Sequence, residues 1–367
     1  MKGYYIHFGG RASAGVSRKI DMQLLEFGRY YDVQELEATA ESRTIIQRVI
    51  GLLPFAENAW NYEELSERID APDFLYIRRT VADKAQIRFL QRIREKYPTC
   101  KILLEIFTYP YDKDEFLRMN AWPFWIKDKW YRRSWKKYID RVVTYSEDNS
   151  IFGIRTIQIR NGIIVEDIIP RKIKSPASDT IDLLAVAYMQ KQHGYERIIK
   201  GLKVYYSQGG KRKIVLHMVG NGPELPRYQK MVRTMRLGDK VIFYGLKTGR
   251  ELDEMYDRCA IALGAFGGYK NRLYLSSALK VREYLAKGLP VISGMREDVI
   301  SEEKSPYFLE FDNNSSVIDV NRIINFYDRI YAERSPETVT KEIRSYAYSH
   351  AGMDISLREV IDFIGGK

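Results

Sequence analysis

The stretch "ALKVREYLAKGLPVISG", residues 278–294, predicts a helix that ends abruptly and is followed at once by a short apolar strand. Gly288 stands where a left-handed helix cap forms, and Pro290 prevents the helix from continuing. The run "LPVIS" is continuously apolar, as strands buried on both faces are. A helix that leads directly into a buried strand is typical of α/β folds with a parallel sheet.

The same alternation of strand and helix fills the chain from about residue 180 onward. Predicted strands lie at 181–188, 213–220, 240–245 and 260–266, and predicted helices at 194–206, 223–237 and 250–259. Because parallel strands are joined by right-handed crossovers, this half is predicted to be doubly wound, with ligands at the carboxyl ends of the strands. The first half repeats the rhythm less regularly, with strands in "GYYIHF", "DFLYIR", "KILLEIF" and "RVVTYS".

We therefore predict an α/β protein of two Rossmann-like, doubly wound domains that face each other across a cleft. A chain of 367 residues is longer than one compact core usually supports. The polar, aperiodic segment 167–180 is the predicted linker. The expected domains are residues 1–170 and 171–350, and residues 351–367 form a C-terminal helix that can pack back on the first domain.

Composition restricts the class of protein. Hydrophobic residues make up 45% and charged residues 29% of the chain, as in globular and not in disordered proteins. No apolar run approaches the roughly 18–20 residues of a membrane-spanning helix, and the start lacks the apolar core of a secretory signal, so a cytoplasmic protein is expected. Two cysteines and four histidines lack metal-ligand spacing, so no metal site is predicted. The net charge of +11 requires an acidic partner: nucleic acid, anionic lipid or a phosphorylated substrate.

Two glycine-containing loops follow predicted strands and open helices. In "VGNGPEL" (219–225), Gly220 and Gly222 permit a tight turn and close backbone approach. This loop lacks the third glycine of a dinucleotide fingerprint and the Gly-Lys-Ser/Thr of a P-loop, and an ordinary strand-to-helix turn is the alternative. In "GGRASAGVSRKI" (9–20), small and basic residues at a helix N-terminus suit a phosphate or sugar anion, and a simple flexible loop is equally compatible.

In combination these segments resemble the nucleotide-sugar domain of GT-B glycosyltransferases, and most closely the retaining family-4 enzymes, the glycosyl transferases group 1 of bacterial polysaccharide synthesis. The resemblance is carried by "HMVGNGPEL", "KVIFYG" and "ALKVREYLAKGLPVISG" in that order and spacing. It extends more weakly to "RVVTYSEDNSIFGIRTIQIRNGI" and "SAGVSRKIDMQLLEF". It implies a GT-B fold and transfer of a sugar from a nucleotide donor, with no cofactor and no metal required.

The resemblance implies a role for Glu283. This residue matches the acid that, in the family, accepts hydrogen bonds from the ribose hydroxyls of the donor nucleotide. A carboxylate suits a vicinal diol, because its two oxygens can receive both donors. The alternative is an ordinary helix pair with Lys287, four residues further on. The other donor contacts expected from the resemblance are Gly15, Gly220, Asn221, Gly222, Tyr244 and Gly245.

The sequence departs from the family pattern where the donor diphosphate is held. Leu275 replaces the family's glutamate eight residues before Glu283, and the family's Arg and Lys align with Tyr188 and His193. We interpret this as a variant clamp in which His193 and basic residues of the same edge stabilise the diphosphate. These basic residues are Lys270, Arg272 and Lys280, the last in the first turn of its helix, where backbone N–H groups favour phosphate. A degenerate, non-catalytic copy of the family is the alternative.

The stretch "EIFTYPYDKDEF" (105–116) ends a predicted strand of the first domain. Where family members often have a histidine near the donor sugar, this chain offers Glu105, Thr108, Tyr109 and Tyr111. Tyrosines stack on sugar faces and hydrogen-bond to hydroxyls, so these four residues are the predicted acceptor-binding set. Because the chain contains 27 tyrosines, the alternative is that the tyrosines have no such role.

Residues 118–140 hold seven Lys/Arg and four of the five tryptophans of the chain. Trp at the headgroup level with Lys/Arg near the phosphates is typical of an interfacial helix on an anionic membrane. The predicted membrane contacts are Trp122, Trp125, Trp130, Arg132, Arg133 and Trp135. Basic and aromatic residues also suit nucleic acid, but no recognition motif accompanies them. Packing of some Trp into the first domain is compatible with the membrane interpretation.

The sequence thus predicts a glycosyltransferase that moves a sugar, with retention, from a UDP-linked donor to a glycan acceptor. We expect a lipid-linked intermediate of bacterial surface polysaccharide as acceptor, an anionic membrane surface as partner, and a peripheral location on the inner face of the cell membrane. No carboxylate pair marks a double displacement, so front-face attack assisted by the leaving diphosphate is expected. Two alternatives remain: an epimerase or phosphorylase of the same fold, and a non-catalytic basic nucleic-acid-binding protein.

Overall fold

The computed structural model describes residues 1–9, 14–40, 42, 44, 46, 50, 51, 53, 55–111, 122–172, 180–300 and 305–366. The chain divides into two compact units, residues 1–160 with 356–367 and residues 161–355. Residues 161–170, assigned to the first domain from the sequence, lie in the second unit. There the Asn161 amide donates to the Ser277 carbonyl (2.5 Å) and Ile163 N–H to the Ala351 carbonyl (3.0 Å).

The first unit is built on a seven-stranded sheet in the order β2-β1-β3-β4-β5-β7-β6. Its strands are β1 (Lys2–Phe8), β2 (Asp32–Ala38), β3 (Phe74–Arg78), β4 (Lys101–Ile106), β5 (Arg141–Thr144), β6 (Ser150–Ile151) and β7 (Ile154–Gln158). Its helices include α1 (Ala14–Gly28), α2 (Tyr62–Glu67), α3 (Lys84–Lys96) and α4 (Trp122–Tyr131), and a 3₁₀ turn (Arg132–Lys137) follows α4. Only the β6–β7 pair is antiparallel among the described strand pairs, as in a doubly wound sheet with an added hairpin.

The second unit contains a six-stranded parallel sheet in the order β10-β9-β8-β11-β13-β15. These strands are β8 (Thr180–Val186), β9 (Lys213–Val219), β10 (Val241–Gly245), β11 (Ile261–Leu263), β13 (Val291–Ser293) and β15 (Phe308–Glu310). A separate two-stranded ribbon joins β12 (Leu275–Ser276) to β14 (Arg296–Glu297). The helices are α5 (Glu196–Ser207), α6 (Leu225–Thr234), α7 (Gly249–Arg258), α8 (Leu279–Lys287), α9 (Val320–Tyr331) and α10 (Pro336–His350). A last helix, α11 (Met353–Gly365), begins in this unit and belongs to the first unit from Ser356 onward. The prediction of two doubly wound α/β domains is confirmed.

The end of α8 follows the predicted pattern. Gly288 has φ of +81°, and its N–H donates to the Leu285 carbonyl (2.9 Å), which closes the helix with a left-handed cap. A Cβ atom at Gly288 would lie 2.8 Å from the Thr340 Cα, so glycine also permits the close packing of α10. The chain then enters β13, whose three residues are all buried.

The last residues of the chain return to the first unit. Within that unit the Lys101 ammonium donates to the carbonyls of Phe363 (2.7 Å) and Ile364 (2.9 Å) at the end of α11. Tyr31 Oη donates to the Ile361 carbonyl (2.7 Å). A cation at the carboxyl end of a helix satisfies carbonyls that lack partners within the helix.

Candidate functional site

The loops that follow β8 and β11 meet backbone to backbone at the carboxyl edge of the second sheet. Phe266 N–H donates to the His193 carbonyl (2.8 Å), and Gly267 N–H donates to the Gln192 carbonyl (3.0 Å). Beside them Gly194 has φ of +60°, and a Cβ atom there would lie 2.4 Å from the Gly267 nitrogen. Glycine is needed at this crossing, and the two loops are therefore fixed side by side.

The glycine loop after β9 packs against the loop after β8. Gly220 and Gly222 have φ of +120° and +131°, and their Cβ atoms would lie 2.0 Å from the Ala187 oxygen and 2.4 Å from the Met189 nitrogen. Met189 N–H donates to the Asn221 carbonyl (2.5 Å). The side chain of Asn221 is exposed at the edge of the sheet. Packing alone therefore accounts for both glycines.

Lys280, in the first turn of α8, reaches the same edge. Its ammonium donates to Tyr195 Oη and to the Gly264 carbonyl, both at 2.9 Å. Burial lowers the pKa of Lys280, and the negative charge of Glu297 acts in the opposite direction. The ring of His193 stacks on Tyr195 with 5.7 Å between centroids. The structure thus brings together Lys280 and His193, two of the predicted diphosphate ligands.

The hydrogen bonds of His193 define what its ring can offer. The Gln190 N–H donates to Nδ1 (3.0 Å), so the neutral ring carries its proton on Nε2. Burial and, second, the Lys280 charge lower the pKa of His193 to about 3. The ring is therefore neutral near pH 7, and Nε2–H is a hydrogen-bond donor for a ligand.

The other two predicted cations differ in availability. Lys270 donates to Glu196 Oε1 and to the Lys191 carbonyl (3.2 Å), so its charge is already paired. Arg272 is exposed in a left-handed conformation (φ +56°) that ends a 3₁₀ turn. Within the described ranges no carboxylate pairs with Arg272. Arg272 is therefore better suited than Lys270 to meet an anion.

Glu283 lies one helical turn beyond Lys280 and is partly exposed. Tyr256 Oη, on α7, donates to Glu283 Oε1 (3.2 Å). Lys287, the alternative partner from the sequence, instead pairs with Asp253 Oδ1 (2.5 Å). A tyrosine on the neighbouring helix therefore orients the Glu283 carboxylate, which sequence spacing did not indicate.

The remaining predicted donor residues lie at strand ends of the same sheet or on α1. Tyr188 is 61% exposed after β8. Tyr244, near the end of β10, contacts His217 Nδ1 (2.8 Å), and His217 Nε2 contacts Asp182 Oδ1 (2.7 Å). Gly245 has φ of +67°. In the first unit Gly15 is exposed in the first turn of α1, and a Cβ atom there would meet no described atom within 4 Å.

Glu105 does not fit its predicted role in acceptor binding. Its side chain is fully buried at the end of β4 and pairs with Lys19 Nζ (2.9 Å) and Arg78 Nε (3.1 Å). Tyr145 Oη also donates to it (3.2 Å). Although burial acts against the charged form, the two cations hold the pKa of Glu105 below its usual value. Glu105 is the centre of a buried ion cluster, because α1 and β3 both direct cations at it.

The three other predicted acceptor residues are not equally accessible. Thr108 is exposed and Tyr109 is partly exposed. Tyr111 is 4% exposed, and its Oη donates to Asp128 Oδ2 (2.8 Å). The assignment of Tyr111 to an acceptor surface is therefore wrong, because the buried Asp128 fixes its ring within the first unit.

Two of the six predicted membrane contacts are also buried. Trp135 is fully buried, and its Nε1–H donates to Gln86 Oε1 (2.9 Å). Arg132 is 6% exposed and pairs with Asp128 Oδ2 (3.1 Å). The 3₁₀ turn after α4 packs these two side chains onto the core of the first unit, so neither can contact a membrane.

The exposed aromatic side chains of α4 form a separate surface. Trp122, Ile126 and Trp130 are spaced four residues apart and are 52%, 37% and 58% exposed. Phe55 is 69% exposed and packs edge-on against Trp130, with 6.3 Å between ring centroids. We call these four residues the α4 patch. Of the other predicted contacts, Trp125 is partly buried and Arg133 is exposed.

No helix in the described ranges has the length and apolar character needed to cross a bilayer. The described residues also contain no group of His, Cys, Asp or Glu side chains placed to hold a metal ion.

Residues 167–326 match the protein family described as Glycosyl transferases group 1. No curated protein matches the chain in sequence. Among solved structures, a glycosyltransferase from Rickettsia africae ESF-5 is similar over 99% of this chain and 98% of its own, with a TM-score of 0.62 and 13% identity. Sucrose-phosphate synthase from Thermosynechococcus elongatus is similar over 100% and 97%, with a TM-score of 0.59 and 15% identity. Anabaena HepE in complex with UDP is similar over 100% of both chains, with a TM-score of 0.62 and 12% identity.

These similarities confirm the predicted GT-B fold and the resemblance to glycosyl transferases group 1. The segment that matches the family contains Lys280, Glu283 and His193. Two residues that touch these side chains, Tyr195 and Tyr256, were not found from the sequence, because nothing in their local spacing distinguishes them from the other tyrosines.

Proposed function

We propose that the protein binds a UDP-sugar at the carboxyl edge of the second sheet and transfers the sugar, with retention, to a glycan acceptor. The observation that carries the proposal is the placement of His193, Lys280 and Glu283 at this edge, inside the segment that matches glycosyl transferases group 1. We propose UDP as the nucleotide of the donor, because HepE, which has a similar fold, was solved in complex with UDP and with UDP-glucose.

The cationic side of the site suits the diphosphate. When the bond between sugar and diphosphate breaks, negative charge grows on the leaving oxygen. The Lys280 ammonium, the exposed Arg272 guanidinium and the neutral His193 Nε2–H are donors that stabilise this charge more strongly in the transition state than in the ground state. No proton needs to leave His193, since a hydrogen bond from Nε2–H is sufficient.

The acidic side of the site suits the ribose. Tyr256 holds the Glu283 carboxylate from α7, and each carboxylate oxygen can accept more than one hydrogen bond. A vicinal diol therefore finds acceptors in a fixed orientation. Glu283 and Lys280 lie one turn apart on α8. Glu283 would then bind the ribose and Lys280 the diphosphate of the same nucleotide.

A donor panel tests the proposal. Calorimetry and melting temperature should identify binding of UDP and of one member of UDP-glucose, UDP-galactose and UDP-N-acetylglucosamine, whereas GDP should bind more weakly. Lys280→Ala should lower kcat more than it weakens UDP binding, and Lys200→Ala, at an exposed lysine of α5, should change neither. Retention is tested by the anomeric configuration of the product in NMR. Absence of binding to every nucleotide tested would exclude the proposal.

The α4 patch supports an acceptor at a membrane surface. Exposed Trp side chains in a stripe beside Lys129 and Arg133 match a helix that lies at the headgroup level of an anionic bilayer. A lipid-linked glycan would reach the enzyme at such a surface. Flotation with vesicles of anionic lipid, but not of neutral lipid, is the expected result, and high salt should release part of the protein.

A basic nucleic-acid-binding protein is the second candidate function, and the net charge of +11 is the observation that favours it. Filter binding of RNA and DNA in a salt series distinguishes this function from sugar transfer, because binding to nucleic acid through its phosphates weakens steeply with salt. We expect no salt-sensitive binding to RNA or DNA in the range where UDP binds.

A further inference from the structure

A charged cluster that the proposed mechanism does not use lies at the carboxyl edge of the first sheet. Arg78 is the last residue of β3, and Glu105 is the last but one of the neighbouring strand β4. Arg78 Nε lies 3.1 Å from Glu105 Oε2, and Lys19 Nζ, on α1, lies 2.9 Å from Glu105 Oε1. Two cations from different elements therefore share one buried carboxylate, which holds the Arg78 side chain in place.

The guanidinium of Arg78 has donors left for a ligand. A guanidinium carries five N–H donors in one plane. Apart from the ion pair with Glu105, this one makes no hydrogen bond to the described residues, and none of its nitrogens is a buried atom without a partner. Its terminal NH₂ groups therefore touch solvent, although only 10% of the side chain is exposed. The donor end of Arg78 is thus accessible, while the rest of the side chain is packed.

The surface next to this donor end is open to solvent. Phe107, the first residue after β4, is 46% exposed, and its ring centroid lies 5.5 Å from the guanidinium carbon of Arg78. The following residue, Thr108, is also exposed. Thr108 and Tyr109 are the two predicted acceptor residues that the structure leaves accessible. Arg78 therefore lies beside the part of the first unit that remains a candidate for acceptor binding.

The charges of the cluster are not balanced within the described part of the chain. There the ion pairs of Arg78 and Lys19 involve Glu105 and no other carboxylate. Burial lowers the pKa of Lys19 and the Arg78 charge acts in the same direction, whereas Glu105 raises it. Positive charge that is largely removed from water is costly unless an anion compensates it. An anionic group bound to Arg78 would supply this compensation.

We propose that Arg78 binds an oxyanion of the acceptor, either a phosphate or a sugar carboxylate, through its terminal NH₂ groups. A planar guanidinium matches two oxygens of such a group in a bidentate arrangement. The donor diphosphate is assigned to the second unit, so an anion bound by the first unit belongs to the acceptor. This inference rests on the proposed function and names the chemical class of its acceptor, a negatively charged glycan or glycan carrier.

Small probes without a lipid chain test the site in protein saturated with UDP. The probes are methyl phosphate, methyl β-glucuronide and the neutral methyl β-glucoside. The ¹⁵N resonances of the Arg78 side chain, assigned by their loss in Arg78→Gln, should shift with at least one of the two anions. Methyl β-glucoside should leave them in place. The anion that shifts them at the lower concentration identifies the phosphate or the carboxylate as the recognised group.

Variants of Arg78 measure the contact by calorimetry. Arg78→Gln should raise the Kd of that anion roughly tenfold, as for loss of a hydrogen bond to a charged group. Arg78→Lys should give an intermediate Kd, because it keeps the charge and loses the planar fork. Both variants should keep the Kd of UDP within twofold. Arg155→Gln, at an exposed arginine of β7, is the matched control and should change neither value.

Four results would overturn the inference: no shift of the Arg78 resonances with either anion, an equal shift of the Arg155 resonances, unchanged anion affinity in Arg78→Gln, or weakened UDP binding in that variant. The second would show unspecific binding to any arginine, and the fourth would assign Arg78 to the donor. The titration of the wild type decides the question alone should the melting temperatures show that neither variant folds. Failure of the wild type to bind UDP would instead overturn the proposed function itself.

Discussion

Replacing Lys280 by methionine should raise the pKa of His193, because the ammonium is the charge that acts on this ring. Burial, and second the Lys280 charge, lower the pKa of His193 to about 3, and the hydrogen bond from the Gln190 backbone acts weakly against them. Tyr195 packs on the ring face and carries no charge near pH 7. Methionine keeps the length of the side chain and removes its charge. The pKa should therefore rise towards 6.5 without reaching it, since burial is the larger cause.

The measurement is direct, because the chain has only four histidines. Protein labelled with ¹³C at the histidine rings gives four resonances, which single His→Gln variants assign. The His193 resonance of the wild type should not move between about pH 8 and pH 5. In Lys280→Met it should begin to move at a higher pH than in the wild type.

The lowered pKa of His193 also makes the free energy of unfolding depend on pH. The direction of this dependence follows from the pKa of His193 in the folded and in the unfolded chain. The unfolded chain takes up the proton near pH 6.5 and the folded chain only near pH 3, so the folded state loses stability as pH falls through this window. Between pH 7 and pH 5 the loss is about 2 kcal/mol, from 1.36 kcal/mol per pH unit below the unfolded pKa. Urea unfolding at both pH values should show this loss as a difference between variants: from pH 7 to pH 5 the wild type should lose about 2 kcal/mol more than His193→Gln does, because other buried groups titrate equally in both proteins.

A wild-type His193 that titrates near 6.5 would refute this reasoning. The ring would then be solvated, and it would carry a positive charge over part of the working pH range. Its assigned role, a neutral Nε2–H donor to the diphosphate, would fail with it.

Three further predictions follow from single contacts. Glu283→Gln should weaken UDP binding in calorimetry by roughly 1–3 kcal/mol, because a charged acceptor becomes a neutral amide; an unchanged Kd removes Glu283 from the site. Serine at both Trp122 and Trp130 should abolish flotation with anionic vesicles and leave UDP affinity intact, and flotation that persists contradicts the role of the α4 patch. Gly194→Ala should lower the melting temperature more than Gly209→Ala, because both have positive φ but only the first Cβ would meet backbone, at 2.4 Å.

The parallel core of both units could be predicted from the sequence because its signal is local. All five residues of β3 are buried, and such strands appear as continuous apolar runs. The edge strand β2, "DVQELEA", was missed because only two of its seven residues are buried and its acidic residues disfavour a strand. Strands of two residues, such as β12 and β14, carry no periodicity at all.

The segment 118–140 shows where composition is insufficient. It contains four tryptophans, of which Trp122 and Trp130 are more than half exposed and Trp135 is fully buried. The difference depends on Gln86, which is 49 residues away from Trp135 in sequence and accepts its indole N–H. A partner that is distant in sequence cannot be predicted from the residues around Trp135. Only the exposed residues of the segment can therefore contact a membrane.

Local sequence also fails to show which side chains lie next to each other in the candidate site. The family resemblance predicts an acid at position 275, and the chain has Leu275 there. Pairing of β12 with β14 sets Ser276, the next residue, level with Glu297, so a buried carboxylate stands beside the position where the acid is missing. Sequence spacing relates residues along one segment, whereas a ribbon relates two segments 20 residues apart. The side chain that lies next to such a position is therefore set by strand pairing, which local sequence spacing does not reveal.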